Sequence, residues 1–176
     1  AFLQHGVLGH NTNVYREMVQ VPFVFVPPAG TNWEWGTRDE VVELVDLYPT
    51  LAEAFGLEYN NGLDGTSLLP VLQGASVDSP ETVYTQSRTG DLIAVRHGAT
   101  KMIFTTGGAE VELIEWYDVE LDRAEQQNLL PTTPPPAPAL EFARAAIARN
   151  YIEPELDTAQ FDPEQEDQLR ALGYVE

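Results

Sequence analysis

The stretch VYTQSRTGDLIAVRHGATKMIFTTGGAEVELIEWYDVEL, residues 83–121, decides the fold. It contains four runs rich in β-branched and aromatic residues: VYTQSR (83–88), LIAVRHG (92–98), TKMIFTT (100–106) and VELIEWYDVEL (111–121). Gly90, Gly98-Ala99 and Gly107-Gly108 separate them. Short runs of this composition cut by glycine turns predict successive hairpins, and hence an antiparallel sheet of three or four strands. The proline-rich LPTTPPPAPA (130–139) then reads as an extended, poorly packed connector. A helix is expected over about 139–150 and another over about 162–172, ending in Leu169-Arg170-Ala171-Leu172-Gly173-Tyr174.

Upstream of residue 82 the pattern is of a different kind. PFVFVPP (22–28) reads as a short buried strand closed by prolines, and VVELV (41–45) as a strand edge. Asp46 stands where a helix N-cap belongs, with Pro49 in the first turn and Gly56 as the stop. Leu47, Leu51, Ala54 and Phe55 mark one face of that 46–56 helix, which is expected to lean on the strand before it. Asp64 to Gly74 reads as a turn feeding a short apolar helix that ends at glycine. Trp33 and Trp35, in the loop Gly30–Thr37, are expected to be packed covers. A lone strand–helix pair cannot bury both of its faces, so residues 1–80 are expected to lean on a sheet encoded elsewhere. The division expected is therefore an α/β layer over 1–80 and an antiparallel unit with helices over 81–176.

Composition narrows the partners. Nine Lys+Arg against 28 Asp+Glu give a net charge of −19, and the sequence pI is near 4.2. Such a field repels nucleic acid and anionic membranes, so neither partner is expected. The apolar runs are too short to span a bilayer. Without cysteine there is no disulfide, no thiolate metal site and no Cys nucleophile in these residues.

The residues with chemical potential cluster near the start, in AFLQHGVLGHNTNVYREMVQVP (1–22). With no initiator Met and no leading polar tail, this start looks like the interior of a longer protein. His5 and His10 lie on one glycine-bearing loop and suit donation to an anionic oxygen, protonation of a leaving group, or metal ligation. Gly9 lets the backbone beside His10 approach a ligand closely, while a purely structural role for His5 is an equal alternative. His97 is expected to be solvated in a hairpin turn, and Ser67 to serve a turn and helix cap. Arg88, Arg96 and Lys101 are expected to pair with carboxylates, with an anion-facing role as the alternative. No phosphate-cradling loop, dinucleotide fingerprint or Ser/His/Asp order stands out.

Taken together, five blocks resemble the sulfatase family in order along nearly the whole chain. His5-Gly6, His10, Tyr15 and Val21-Pro22-Phe23-Val24-Phe25 are similar to the block after that family's Asp-His-Gly motif. That block runs Glu-His-Gly, a Lys or His five positions after its His, an aromatic–acidic pair, then Arg-Val-Pro before a strand. Asp46-Leu47-Tyr48-Pro49-Thr50-Leu51 resembles its Asp-x-x-Pro-Thr-Leu helix, and Asp64 to Gly74 its Gly-x-Ser-Leu-x-Pro-Leu-x-x-Gly block. Val95 to Ile103, with Arg96 and Lys101, resembles a strand pair of its C-terminal subdomain. Tyr117-Asp118-Val119, Asp122, Glu125 and Asn128-Leu129 resemble Leu-Tyr-Asp-Leu followed by Asp-Pro-x-Glu-x-x-Asn-Leu. The chain departs from the pattern at Gln4 for Glu, Arg16 for an acid, Gln20 for Arg and Arg123 for Pro.

The resemblance implies an α/β fold: the C-terminal part of an alkaline-phosphatase-like sandwich plus a small antiparallel-sheet subdomain with helices. It implies hydrolysis of sulfate monoesters by a formylglycine nucleophile assisted by a divalent cation, usually Ca2+. Both would be supplied by a missing N-terminal part of the same polypeptide, with no metal ligand in this chain, which alone would be inactive. It places His10 as the catalytic and substrate-binding group and His5 as a second substrate-binding residue behind it. The substrate expected is a sulfated small molecule or sulfated glycan, and the location periplasmic or secreted. The alternatives are a phosphomonoester or phosphodiester hydrolase of the same superfamily, and a catalytically dead binding or structural relative.

Overall fold

The computed structural model describes residues 4–6, 13–60, 62–75, 82–106, 110–152, 168 and 170. Its centre is a four-stranded antiparallel meander, β1 (Thr82–Gln86), β2 (Leu92–His97), β3 (Thr100–Thr105) and β4 (Glu112–Asp118), in the order β1-β2-β3-β4. This is the sheet that the glycine-cut runs predict. Gly98, at φ +58°, turns β2 into β3 so tightly that His97 pairs with Thr100. One irregularity lies between β3 and β4: Ile103 opposes Glu115 while Phe104 opposes Leu113, so Ile114 is an extra residue. The bulge re-aims the β4 side chains beyond it.

Strand alternation gives the sheet two apolar faces, and each finds a cover. Ile93, Val95, Met102, Phe104 and Trp116 point to one side, where the helix α4 (Ala137–Asn150) packs Ala139, Ala143, Ala146 and Ile147 against them. Small residues at helical spacing let α4 approach closely, and each large side chain sealed beneath it contributes about 1.5–3 kcal/mol. The start of the proline-rich connector is tied down more firmly than expected. Leu129 and Leu130 pack on this core, and the Thr133 carbonyl accepts the Trp116 indole N–H at 2.7 Å. Ala94, Ile103 and Tyr117 point to the other side, where Val14 seals them together with Tyr15 and Val19. The short helix α1 (Arg16–Val19) belongs to that cover.

Between the two in chain order lies a small helical layer. Residues Leu44–Asp46 form a 3-10 turn leading into α2 (Leu47–Ala54), and α3 (Leu69–Leu72) ends at Gly74, whose φ is +86°. Thr50, fully buried, donates to the Asp46 carbonyl at 2.6 Å and accepts the Leu68 N–H at 2.8 Å, fastening α2 to the start of α3. Ser67 accepts the Leu69 N–H at 3.2 Å in the turn before α3, whose N-cap residue is Leu68 and not the serine.

Several upstream expectations are corrected. Neither 22–28 nor 41–45 is a strand. The first is extended without a paired neighbour among the described residues, and Val24 and Val26 stand 81% and 75% exposed. Asp46 caps one turn earlier than expected: its carboxylate accepts the Glu43 N–H and the Thr66 N–H, each at 2.8 Å. The buried face of α2 is Pro49, Thr50 and Ala52, whereas Leu47, Tyr48, Leu51 and Phe55 are exposed. The common cause is that an apolar segment with no strand beside it has nothing to bury against. Trp35 is 76% exposed for the same reason, while Trp33 meets Phe25 edge-on. The helix expected over 162–172 lies, apart from residues 168 and 170, outside the described residues.

Candidate functional site

The sheet face covered by Val14 carries an unusual load of polar side chains, because β3 and β4 place Lys101 and Glu115 on the same side as Ile103 and Tyr117. Lys101 is 5% exposed. Its ammonium donates to both Glu125 carboxylate oxygens and to the Val14 carbonyl, all at 2.8 Å. Glu125 in turn accepts the Arg16 backbone N–H at 3.1 Å. Burial pulls the Lys101 pKa below the usual lysine value, against the opposing pull of the Glu125 charge. Beside this pair, Glu115 accepts the hydroxyls of Tyr15 and Tyr117, each at 2.8 Å. Burial and then the Glu115 carboxylate push Tyr15 up to about 12, so its phenol remains a donor at neutral pH.

His5 is built onto this platform. Its ring stacks on Tyr15 with centroids 3.8 Å apart. Nδ1 lies 2.8 Å from the Glu17 carboxylate and Nε2 2.7 Å from the Glu125 carbonyl. Oxygen acceptors against both nitrogens favour the doubly protonated imidazolium, although the Gln126 amide nitrogen also stands 3.2 Å from Nε2. Burial acts to lower its pKa, but the Glu125 carbonyl and the Glu17 carboxylate outweigh it, and the pKa is raised. The backbone at His5 is left-handed, φ 52°, and Gly6 follows at φ 71°, a turn that the glycine makes accessible.

The raised His5 pKa sets a pH dependence of stability. A raised imidazolium contributes fully below the unfolded value of about 6.5 and is lost as pH rises through the folded pKa. Glu17 has the opposite sign. Burial acts to raise it, His5 overrides this, and its pKa is lowered, so its contribution is lost as pH falls below 4.5. Urea midpoints should therefore decline as the pH climbs above about 6.5. Glu17→Gln should flatten that decline, and an equally steep decline in the variant would show that His5 is not its source.

Outward from His5 opens a cleft of about 520 Å³, lined also by Arg16, Glu17, Gln20, Arg123 and Gln126. Arg16 donates through Nη1 to the Arg123 carbonyl at 3.1 Å and through Nε to the Gln20 side-chain oxygen. The rim is therefore cationic in a strongly acidic chain and suited to an oxyanion. It does not suit a metal. Both His5 nitrogens are spent, Glu17 and Glu125 are paired, and no three His, Cys, Asp or Glu side chains converge among the described residues. The cation that the resemblance implies does not fit these residues.

Of the residues singled out by sequence, His10 lies outside the described residues. His97 closes β2 instead of sitting in solvent: it stacks on Phe142 at 4.2 Å and shares a 2.8 Å hydrogen bond with the Thr82 hydroxyl. Of the three cations noted, Lys101 meets a carboxylate, Arg96 donates instead to the Gly98 carbonyl, and Arg88 is exposed. Glu17 and Glu125 were missed as partners of His5 and Lys101. Their one sequence signal is that both stand in blocks carrying the family resemblance.

No family model matches the chain. Arylsulfatase K of Mus musculus is 26% identical over 168 residues, covering 89% of this chain and 30% of the relative. The ulvan-active sulfatase of Formosa agariphila is 35% identical over 80 residues, covering 46% of this chain and 16% of that protein. Among solved structures, a Bacteroides thetaiotaomicron protein assigned as a sulfatase matches with TM-score 0.63 and 25% identity, over 91% of this chain and 36% of that one. A 2-O GAG sulfatase matches the fold with TM-score 0.60 at 24% identity, over 91% of this chain and 33% of its own. The chain thus spans about a third or less of the length of the proteins it matches. No helix among the described residues is long and apolar enough to cross a membrane. The mixture of helices and antiparallel sheet is that of the sulfatases' C-terminal α/β portion, and over most of its length the chain is similar to members of the sulfatase family.

Proposed function

We propose that this chain forms the C-terminal portion of an enzyme that hydrolyses sulfate monoesters, its formylglycine nucleophile and its Ca2+ or other divalent cation held by residues outside the chain. The observation that carries the reading is the match of 89% of the chain to an arylsulfatase of which it spans only 30%. The exposed apolar side chains of Val24, Val26, Tyr48, Leu51, Phe55 and Leu57 support it, being what segments covered by a further layer present. In this reading residues 1–80 end the catalytic α/β layer and residues 81–176 form the subdomain beside it. By their names, the relatives act on ulvan and on GAG. We carry over the class alone, a sulfated glycan or small sulfated molecule, with a periplasmic or secreted location.

In this reading His10 is the proton-bearing group that serves the sulfate or leaving-group oxygen. As the imidazolium it stabilises developing charge there or donates the proton to the departing oxygen. His5, its two N–H groups already committed, adds positive charge to the site. In the full-length protein, His10→Ala should lower kcat on an aryl sulfate at least about tenfold, and His10→Lys should retain more activity than His10→Ala. Wild-type turnover in His10→Ala would remove the assignment.

A further inference from the structure

Arg16 and Arg123 line the same cleft as His5. Arg38 takes Glu34 and Lys101 takes Glu125, each at 2.8 Å. Arg16 and Arg123 make no ion pair among the described residues. Glu17, the carboxylate that lines the cleft, is committed to His5. Three cations against one carboxylate leave the cleft net positive.

The cleft is also prepared for a ligand. The bonds of Arg16 to the Arg123 carbonyl and to Gln20 hold its guanidinium while leaving further N–H groups unspent. Donors fixed in advance cost less ordering on binding than a free surface arginine does. A volume of about 520 Å³ is of the size that takes a small molecule or a single sugar unit. Arg16, Gln20 and Arg123 are moreover three of the four positions at which the chain departs from the sulfatase pattern, and all three line this cleft. Arg16 and Arg123 each bring a cation to it, and Gln20, in place of a third, turns its side-chain oxygen to holding Arg16.

We propose that the cleft is a subsite for a second anionic group, a sulfate or a carboxylate, on a multiply charged glycan substrate, with Arg16 and Arg123 setting the specificity. The substrate class rests on the sulfatase reading; the oxyanion chemistry of the subsite does not.

Three disaccharides test it in the full-length protein: one with a single sulfate, one with a second sulfate, and one with a carboxylate in place of the second sulfate. The wild type should favour a doubly charged disaccharide in kcat/KM. The double variant Arg16→Gln/Arg123→Gln should reduce that preference at least about tenfold, chiefly through KM, as loss of charge-assisted hydrogen bonds predicts. A folding defect would slow every substrate and leave the ratio intact. Arg38→Gln removes one charge elsewhere and should leave the ratio unchanged. Whichever doubly charged disaccharide loses more in the double variant identifies the group bound. A wild type without preference, or a double variant that keeps it, overturns the subsite. If the wild type hydrolyses none of the three, the sulfatase reading has failed. Calorimetric binding of the disulfated disaccharide then decides alone: weaker binding to the double variant supports the subsite, and equal or absent binding overturns it.

Discussion

Lys101→Met should destabilise the protein by about 3–5 kcal/mol, the range for removing one member of a buried ion pair. The side chains of Lys101 and Glu125 are 6% and 3% exposed, so neither charge has water to fall back on. With the ammonium gone, the Glu125 carboxylate keeps the Arg16 N–H and loses the partner of both its oxygens, and the Val14 carbonyl loses its donor. The damage extends beyond one contact. The pair joins β3, the loop after β4 and the segment that carries Val14, Arg16 and Glu17 over the sheet. Urea unfolding should show the midpoint falling with little change in slope.

The double variant Lys101→Met/Glu125→Leu is the informative companion. The Lys101 pKa lies below the usual value because desolvation outweighs the attraction of Glu125. A pair in that balance adds little net stability, however costly it is to break. The double variant should therefore recover most of what the single variant loses, while loosening the attachment of residues 13–19. A double variant as unstable as Lys101→Met would mean that the pair stabilises outright. A loss of under about 1 kcal/mol in the single variant would put Lys101 in water, against the geometry described.

What was legible in the sequence follows from how far apart the partners lie. The meander could be read from Gly90, Gly98 and the runs between them because hairpin pairing is local, and α4 was placed within two residues of its start. The burial of 22–28 and the facing of α2 could not be read, because apolarity says that a segment wants cover without saying where the cover is. The same limit applies to the site. His5 stood out beside its glycine, yet its acceptor on Glu125 lies 120 residues away. Lys101 was expected to find a carboxylate, but which of 28 was not visible until β3 and the loop after β4 had been folded together. His97 was misread because a terminal strand residue and a turn residue look alike in sequence, and the ring of Phe142 that covers it arrives from α4.

Gly65→Ala should cost about 3 kcal/mol, at the upper end of what overpacking does, for a reason of space and not of backbone conformation. A Cβ at Gly65 would lie 2.1 Å from the Val45 carbonyl oxygen, 2.4 Å from its carbon and 2.9 Å from the Asp46 nitrogen. All three are backbone atoms and cannot swing aside as a side-chain end can. They belong to the turn that holds Asp46, whose carboxylate accepts the Thr66 N–H at 2.8 Å, one residue from the clash. Pushing the two segments apart would stretch that bond and the nearby Leu68 N–H bond to Thr50, leaving buried polar groups unpaired. Gly56→Ala separates the two costs a glycine can hide. Gly56 has φ +64° and nothing within 4 Å of where a Cβ would stand, so alanine there bears only the left-handed backbone penalty of about 1–2 kcal/mol. Thermal unfolding of the two variants side by side should rank Gly65→Ala as the more damaging. Equal losses would mean that the two chain segments stand further apart than the Thr66–Asp46 bond requires.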